Sequence, residues 1–523
     1  MTEQTISLPG VSAETQALVT GLHKKLADAT PRNEILSAYY DMHRAVRQVS
    51  NVLPPMYRGL SMTLGWTAKG VDALARRCVL GGFSWPDGDI ESLGSAAVWD
   101  GNMLKSEARQ GGLESLIHGP SFIVTTRGGD GEPPALIHFK SALDATGDWN
   151  ARARRMDNLL SITDRDDKGN TTGLVLYQDG VTLTAVKDGA KWMVDEQDHP
   201  WGVPVDPMVY KPRLRRAFGS SRISRAARGL QDGAVRELLR LEGHMDTYSF
   251  PEMWLLGADE SVFKDANGVI KPVWQVMLGR IKGIPDDQDQ DEPSLARADV
   301  KQFAAASPEP HLADLNALAK LFAREMSLPD TSLAITDVSN PTSAESYDAS
   351  QYELIAEAEG TVDDWSPALR RAFARSLAIA NDLEEIPAEW ASISPRWRNP
   401  RFLSRAAEAD AGTKQLAAVP WLGETRVGLS LVGMTEQQID DALGERQRIE
   451  ARARMDTLVS VGASSADASA VKAQADALGV LIRAGVEPAD AARRVGLDGA
   501  QFTGAVPVSL RLPTVDATSL EGA

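Results

Sequence analysis

The sequence predicts an α+β chain, mainly helical, and three observations carry that reading. Apolar residues recur at helical spacing in long stretches at both ends and in the middle of the chain. A region from ~120 to ~200 instead holds short β-rich runs divided by Asp-Gly pairs. Two amphipathic stripes, Ile223 to Leu241 and Leu312 to Phe322, flank a mixed region from Phe250 to Pro310, a pattern that makes a helical pair with a cap. The 523 residues suggest about three folding units, and 43% hydrophobic with 24% charged residues supply a sizeable core.

Taken in order, Ser12 can cap a helix with Leu18, Leu22 and Leu26 on one face. Pro31 is expected to start a second helix, with Ile35, Ala38, Tyr39, Met42 and Val46 at helical spacing. Pro54-Pro55 breaks the pattern, and a third helix is expected from about Trp66 to Val79. Phe122-Ile123-Val124 and Leu136-Ile137-His138-Phe139 read as strands around a glycine-rich turn, Gly128 to Gly131. Leu174–Tyr177, Val181–Thr184 and Lys191–Val194 follow, with Asp179-Gly180 and Asp188-Gly189 between them. Asp-Gly between such runs signals tight hairpins, so this is an antiparallel meander.

After Gly219 a helix carries Ile223, Ala227, Leu230, Ala234, Leu238 and Leu241. Strand signals at Trp254–Leu256 and Val273–Val276 and an acidic loop, Asp286 to Glu292, come next. Leu312, Leu315, Leu318, Leu321 and Phe322 mark a helix expected to stop at Pro329. Thr342-Ser343-Ala344-Glu345 has capping-box spacing and opens a long helix to about Asp382, with a kink or restart expected at Pro367. A second capping box, Thr435 to Gln438, opens a charged helix through Arg454, and two short helices follow, one starting near Glu487-Pro488.

The usual chemistry is missing. No phosphate loop is present, so ATP turnover is not expected, and no His-Glu-x-x-His pair exists among the seven histidines. Gly428–Val432 has valine where a nucleophile elbow needs its second glycine and reads as packing. Asp287, Asp289 and Asp291 alternate like a calcium loop but lack the turn glycine and the bidentate glutamate, so a solvated loop is the better reading. Cys78, the single cysteine, excludes a disulfide framework. No apolar run reaches the ~18 residues of a membrane helix, and the first residues carry no visible secretory signal. No catalytic, cofactor or metal residue is assigned, and cytosolic synthesis is expected.

Net charge is −17, which argues against simple coating of nucleic acid. Yet Lys211, Arg213, Arg215, Arg216, Arg222, Arg225 and Arg228 crowd eighteen residues without a carboxylate. Two readings stay open for them: pairing with acidic surface, including that of a neighbouring subunit, or contact with phosphate.

Several phrases, spread in order over nearly the whole chain, carry a resemblance. They are Tyr39-Tyr40-Asp41 with Pro54-Pro55 and Trp66–Asp72, then Lys211-Pro212-Arg213 with Phe218–Ile223. Phe303–His311, Asn340–Glu345, Pro420-Trp421-Leu422 and Gly504–Leu510 complete the set. This order resembles the portal proteins of tailed bacteriophages, of the siphophage type found in phages of actinobacteria. The one departure is Met42-His43, where the family often has a small residue and lysine.

The resemblance implies a non-enzymatic, dodecameric ring at the unique capsid vertex of the virion, made in the host bacterial cytoplasm. Double-stranded DNA would pass through its channel in packaging and ejection. Terminase, the major capsid or scaffold protein, and head–tail connector or adaptor proteins would be its partners, with no membrane. Twelve copies would carry about −204 formal charges, which opposes phosphate adsorption. The implied parts are an N-terminal wing (1–220), a first stem helix (221–248), a clip (249–310) and a second stem helix (311–329). A tunnel loop (330–342), a kinked helix with the rest of the wing (343–434) and a crown with tail (435–523) follow. In the tunnel loop Thr336, Asp337, Val338, Ser339 and Asn340 would face the DNA. The rival readings are a hydrolase with an unrecognised site and a non-phage scaffold or adaptor.

Overall fold

The structure is a computed structural model describing residues 6–43, 62–189, 191–248, 253–258, 267, 281–285, 299–302, 306–333, 349–401, 405–461, 468–497 and 502. The chain forms two compact units, Met1–Arg401 and Phe402–Ala523. The fold is α+β and mainly helical, as its pattern predicts.

Helix α1 spans Ala13–Tyr40, and the Ser12 hydroxyl caps it by accepting from the Thr15 amide at 3.0 Å. It is one helix, not two, because it runs straight through Pro31. An interior proline costs about 3 kcal/mol. Here packing on both sides outweighs that cost, with Leu22 and Leu26 buried before the proline and Leu36 and Tyr39 after it. The face expected after Pro31 is also displaced. Ile35 and Met42 are exposed, and Asn33 joins Leu36 and Tyr39 on the buried side. A polar residue on the core face hid the stripe; its amide is satisfied by the Ala142 carbonyl at 2.9 Å.

Helix α2, Trp66–Ala75, ends short of Val79. The chain there turns into β1, Leu80–Ser84, which pairs antiparallel with a late strand, Ser394–Trp397. Helices α3 (Ser95–Gly101) and α4 (Leu104–His118) lead into the β region. Strands β2 (Pro120–Arg127) and β3 (Ala135–Ser141) form the expected hairpin.

The meander is larger than its signals. Strands β4 (Ala145–Asn150), β5 (Arg155–Arg165), β6 (Thr171–Gln178), β7 (Val181–Asp188) and β8 (Lys191–Asp198) make one antiparallel sheet in sequential order. Strand β4, largely polar and short, gives no strand signal, and the longer β5 also lies outside the predicted runs. The next strand, β9 (Val205–Val209), leaves this sheet and pairs with β2. Side chains alternate across the five-stranded sheet as the pleat requires. Leu174, Leu176, Leu183 and Ala185 face α1 residues Val19, Leu22 and Leu26. Tyr177, Met156 and Leu159 instead join Phe122, Val124 and Val205 of the three-stranded sheet.

Helices α5 (Arg225–Tyr248) and α6 (Glu309–Glu325) are the two predicted stripes, and they pack as an antiparallel pair. Ser224, at the start of α5, donates to Glu325, at the end of α6, at 2.6 Å. At the far end His311 and Glu237 lie 2.6 Å apart. Leu315, Ala319, Phe322 and Ala323 of α6 meet Ala227 and Ala234 of α5 in the main core. The connection between them holds strands β10 (Met253–Ala258), β11 (Ile281–Pro285) and β12 (Asp299–Gln302), with β10 central, parallel to β11 and antiparallel to β12. The strand signal at Val273–Val276, the acidic loop at 286–292 and the capping box at 342–345 lie outside the described residues. The turn that ends α6 is at Ser327, which takes a left-handed φ of 49°, ahead of Pro329.

Helix α7, Tyr352–Ala380, is continuous through Pro367. It buries Leu354, Ala358, Trp365, Leu369, Phe373 and Leu377 against the β region and the helices before it. Strand β13 is Ser394–Trp397.

The second unit is helical: α8 (Arg405–Ala418), α9 (Arg426–Leu431), α10 (Glu436–Val461), α11 (Ala468–Arg483) and α12 (Pro488–Val495). The second capping box forms as predicted, with Thr435 and Gln438 exchanging side-chain-to-amide bonds at 3.0 and 3.3 Å. Gly428–Leu431, the elbow-like phrase, lies in α9, capped by Thr425.

Candidate functional site

Three of the phrases that carried the resemblance, Tyr39-Tyr40-Asp41, Trp66–Asp72 and Phe218–Ile223, meet in space at the root of the helix pair. From α1, the Tyr39 hydroxyl donates to Asp232 of α5 at 2.8 Å, and the Tyr40 hydroxyl donates to Asp72 of α2 at 2.9 Å. The Thr67 amide donates to buried Gln231 at 2.8 Å, and its hydroxyl donates to the Tyr39 carbonyl at 2.7 Å. Trp66 packs its ring 5.4 Å from that of Phe322 on α6. Lys69 reaches the Ser332 carbonyl beyond the end of α6.

The centre of this junction is Arg222. Its side chain is 3% exposed and lies 2.5 Å from the Glu357 carboxylate. The same guanidinium donates to the Tyr210 hydroxyl at 3.1 Å, the Gly70 carbonyl at 3.1 Å and the Met326 carbonyl at 2.6 Å. One planar fork thereby ties together α2, the end of β9, the end of α6 and α7, a task suited to arginine's rigid donor array. Glu357 also receives the Tyr210 hydroxyl at 2.5 Å and pairs with Lys211 at 2.6 Å. Burial alone would raise the Glu357 carboxyl, but Arg222, Lys211 and Tyr210 outweigh it and hold the pKa down at about 2. Burial likewise opposes the Arg222 charge, and Tyr210 and Glu357 more than offset it.

Local backbone geometry delivers Arg222 to this point. Gly219 has φ of +59°, and a Cβ there would lie 2.1 Å from the Tyr210 carbonyl oxygen. That carbonyl accepts from the Ser220 amide at 3.1 Å, so the chain after β9 doubles back tightly. Only glycine accommodates both the left-handed turn and the close approach.

The basic stretch therefore divides. Arg222 is a correction to both of its expected roles, because its carboxylate partner belongs to the same chain and burial removes it from phosphate or a neighbouring subunit. Lys211 is likewise committed to Glu357. Arg228 lies over the Tyr39 ring at 5.8 Å and is half-buried. Arg213, Arg215, Arg216 and Arg225 are exposed, and no ion pair holds them among the described residues. Thr336, Asp337, Val338, Ser339 and Asn340 lie outside the described residues.

Two groups escaped the sequence reading. Glu357 sits one position from Ala358 on the buried side of α7, and a carboxylate amid Leu354, Ala358 and Thr361 was the available signal. Asp206, in the fully buried strand β9, holds Arg371 and Arg375 at 2.5 and 2.9 Å. Among the described residues no cluster of metal-ligating side chains occurs, and no helix is long and apolar enough to cross a membrane. Cys78 is buried, and burial pushes its thiol up to about 12.

A β region, an antiparallel helix pair with a small sheet in the connection between its helices, and a buried knot of ion pairs and hydrogen bonds at the root of that pair make up the first unit. The family model of the phage portal proteins, SPP1 Gp6-like, matches residues 23–449, and the chain belongs to that family. The portal protein of Mycobacterium phage D29 is 25% identical over 391 residues, covering 72% of this chain and 77% of that protein. The portal protein of Mycobacterium phage L5 is 24% identical over 392 residues, with the same shares. Among solved structures, a chain in the neck of an empty gene transfer agent particle is similar at 14% identity and a TM-score of 0.37, covering 75% of this chain and 96% of that one.

Proposed function

We propose that this phage portal protein forms a closed dodecameric ring at one vertex of the capsid. Double-stranded DNA passes through its channel, terminase docks on it during packaging, and head–tail connector proteins take that place afterwards. It works as a passive conduit with no catalysis of its own. The observation that carries this reading is the family match over 23–449. The knot at Arg222 supports it physically: a conduit pushed on by a motor needs its helix pair fixed to the surrounding body, and a buried multidentate guanidinium does that.

In this reading α5 and α6 are the stem, the sheet β10–β12 belongs to the clip, and the helices after 435 form the crown. Native mass measurement of the purified chain is expected to give a large closed ring, with twelve subunits in the virion. A monodisperse monomer at micromolar concentration across salt conditions refutes it.

In the same ring the segment Thr336–Asn340 forms a tunnel loop facing the DNA. Asp337 is the one charge between Thr336 and Asn340. A negative charge facing the duplex repels phosphate and keeps DNA sliding rather than bound. Asp337→Lys is expected to assemble normally yet slow or stall packaging, with relief at higher salt. Packaged DNA length is the readout, compared with Asp337→Asn. Normal packaging by both variants refutes the placement of this charge against DNA.

A further inference from the structure

Arginines of the β4–β5 turn and of a neighbouring hairpin lie beside one edge of the five-stranded sheet, and carboxylates line the opposite edge strand. We infer that these two groups are the two halves of one contact between neighbouring copies of this chain. The inference rests on the ring reading above.

The basic half lies beside β4. The segment after β9 folds into a tight hairpin, with Arg213 and Arg216 exchanging backbone hydrogen bonds at 3.1 and 2.7 Å. Its tip presents Leu214, fully exposed, next to Arg215. The hairpin shares a cleft of about 990 Å³ with Trp149 of β4 and with Ala151 and Arg154 of the turn between β4 and β5. Arg152 and Arg154 of that turn are exposed. Five arginines, Arg152, Arg154, Arg213, Arg215 and Arg216, thus crowd one side, and none has an ion-pair partner among the described residues. The nearby Asp157 accepts from Asn150 at 3.0 Å, and Asp179 lies 3.8 Å from Arg155.

The acidic half is β8, the opposite edge strand of the same sheet. Asp195, Glu196 and Asp198 are exposed and lack an ion-pair partner among the described residues, and Asp195 accepts only from neighbouring Gln197. Strand register sets their height. Asp198 pairs with Val181 beside the Asp179-Gly180 turn, and Arg155, which begins β5, reaches Asp179. The acidic end of β8 and the β4–β5 turn therefore occupy the same end of the sheet, four strand spacings or ~19 Å apart.

A ring closed by rotation joins one side of each subunit to a different side of the next, so the two sides must differ and must match. Two oppositely charged groups beside opposite edges of one sheet, at one end of it, meet both conditions. Leu214 adds an apolar anchor at the centre of the basic side, which a solvated loop would not need. DNA is the weaker occupant for these arginines, because a fully exposed leucine gains nothing from phosphate.

The test uses the full chain at about 0.1 M salt, where exposed charges still interact. One variant carries Arg213→Glu, Arg215→Glu and Arg216→Glu; the other carries Asp195→Lys, Glu196→Lys and Asp198→Lys. All six positions are exposed, and unchanged thermal melts establish that each variant folds. Each alone presents like charges across the contact and is expected to associate roughly tenfold or more weakly. Mixed in equal amounts, they restore the match at every interface and give rings of even number with strictly alternating subunits. Leu214→Asp, a gentler second variant, is expected to weaken assembly as well. Rings formed by either triple variant alone as readily as by the natural chain overturn the inference, as does a mixture that stays unassembled. Normal rings with loss of salt-sensitive duplex binding in the arginine variant would assign the hairpin to DNA instead. A natural chain that forms no ring at all refutes the ring reading itself, which separates the two failures.

Discussion

Arg222→Met is expected to cost about 3–5 kcal/mol of folding stability, read as a lower denaturation midpoint of the first unit. Methionine fills similar volume, so the loss comes from charge and hydrogen bonding rather than from a cavity. Glu357 would be left at 10% side-chain exposure with only Lys211 to balance it, and the Met326 and Gly70 carbonyls would lose their donor. Replacing both charged partners, with Arg222→Met and Glu357→Met, is expected to recover part of the loss, because an uncompensated buried charge costs more than a missing pair. Arg215→Met, on the exposed hairpin, is expected to change stability by no more than about 0.5 kcal/mol.

The same knot sets an acid response. Glu357 titrates at about 2 in the folded chain against an ordinary 4.5. A carboxyl lowered on folding stabilises the fold above its unfolded pKa and loses that contribution as pH falls through the folded value. The window is therefore from about 4.5 down to about 2, and the contribution lost is about 3 kcal/mol. Glu357→Gln removes this component, so the variant's stability is expected to fall less steeply across that window than that of the natural chain. Parallel slopes for the two proteins would contradict the linkage.

Periodicity revealed most of the helices because their stripes are long. The α5 and α6 stripes survive Gly229 and Gly233, since burying residues such as Phe322 and Leu315 is worth ~1.5–3 kcal/mol each against ~1 for a helical glycine. Pro31 misled because local rules place a helix start there and packing on both flanks overrides them, and at Pro367 the helix continues without a restart. The Asp-Gly turns gave the last three strands of the meander, whereas polar β4 carries no such signal. The site was legible only in part. Glycine at 219 and the crowd of arginines were visible, but which arginine is buried depends on where Glu357 lies, 135 positions later in the chain. Such a pairing is a tertiary fact, and a charge count along the sequence cannot sort Arg222 from Arg215.

Asp206→Ala is expected to be comparably damaging, at about 3–5 kcal/mol. Strand β9 is buried along its whole length, so a carboxylate there persists only because it is doubly paired. Arg371 and Arg375, one turn apart on α7, hold its two oxygens from the same helix face. Arg371 is partly exposed and can return to water when the carboxylate is gone, but Arg375 is 8% exposed and cannot. The cost is therefore that of a stranded guanidinium rather than of a lost contact, and the two are separable. If stranding dominates, adding Arg375→Met to Asp206→Ala raises the denaturation midpoint above that of the single variant, although another polar contact has been removed. If the contact alone matters, the double variant is no better than the single one, and the argument fails. Asp206→Asn keeps the shape and the acceptor oxygen while removing the charge, so it is expected to fall between the natural chain and Asp206→Ala. Because β9 runs directly into Tyr210 and the Gly219 turn, loosening it against α7 also releases the segment that carries Arg222 to Glu357. The Asp206→Ala and Arg222→Met effects should then be less than additive when combined, as expected of two pairs that hold the same strand end to the same helix.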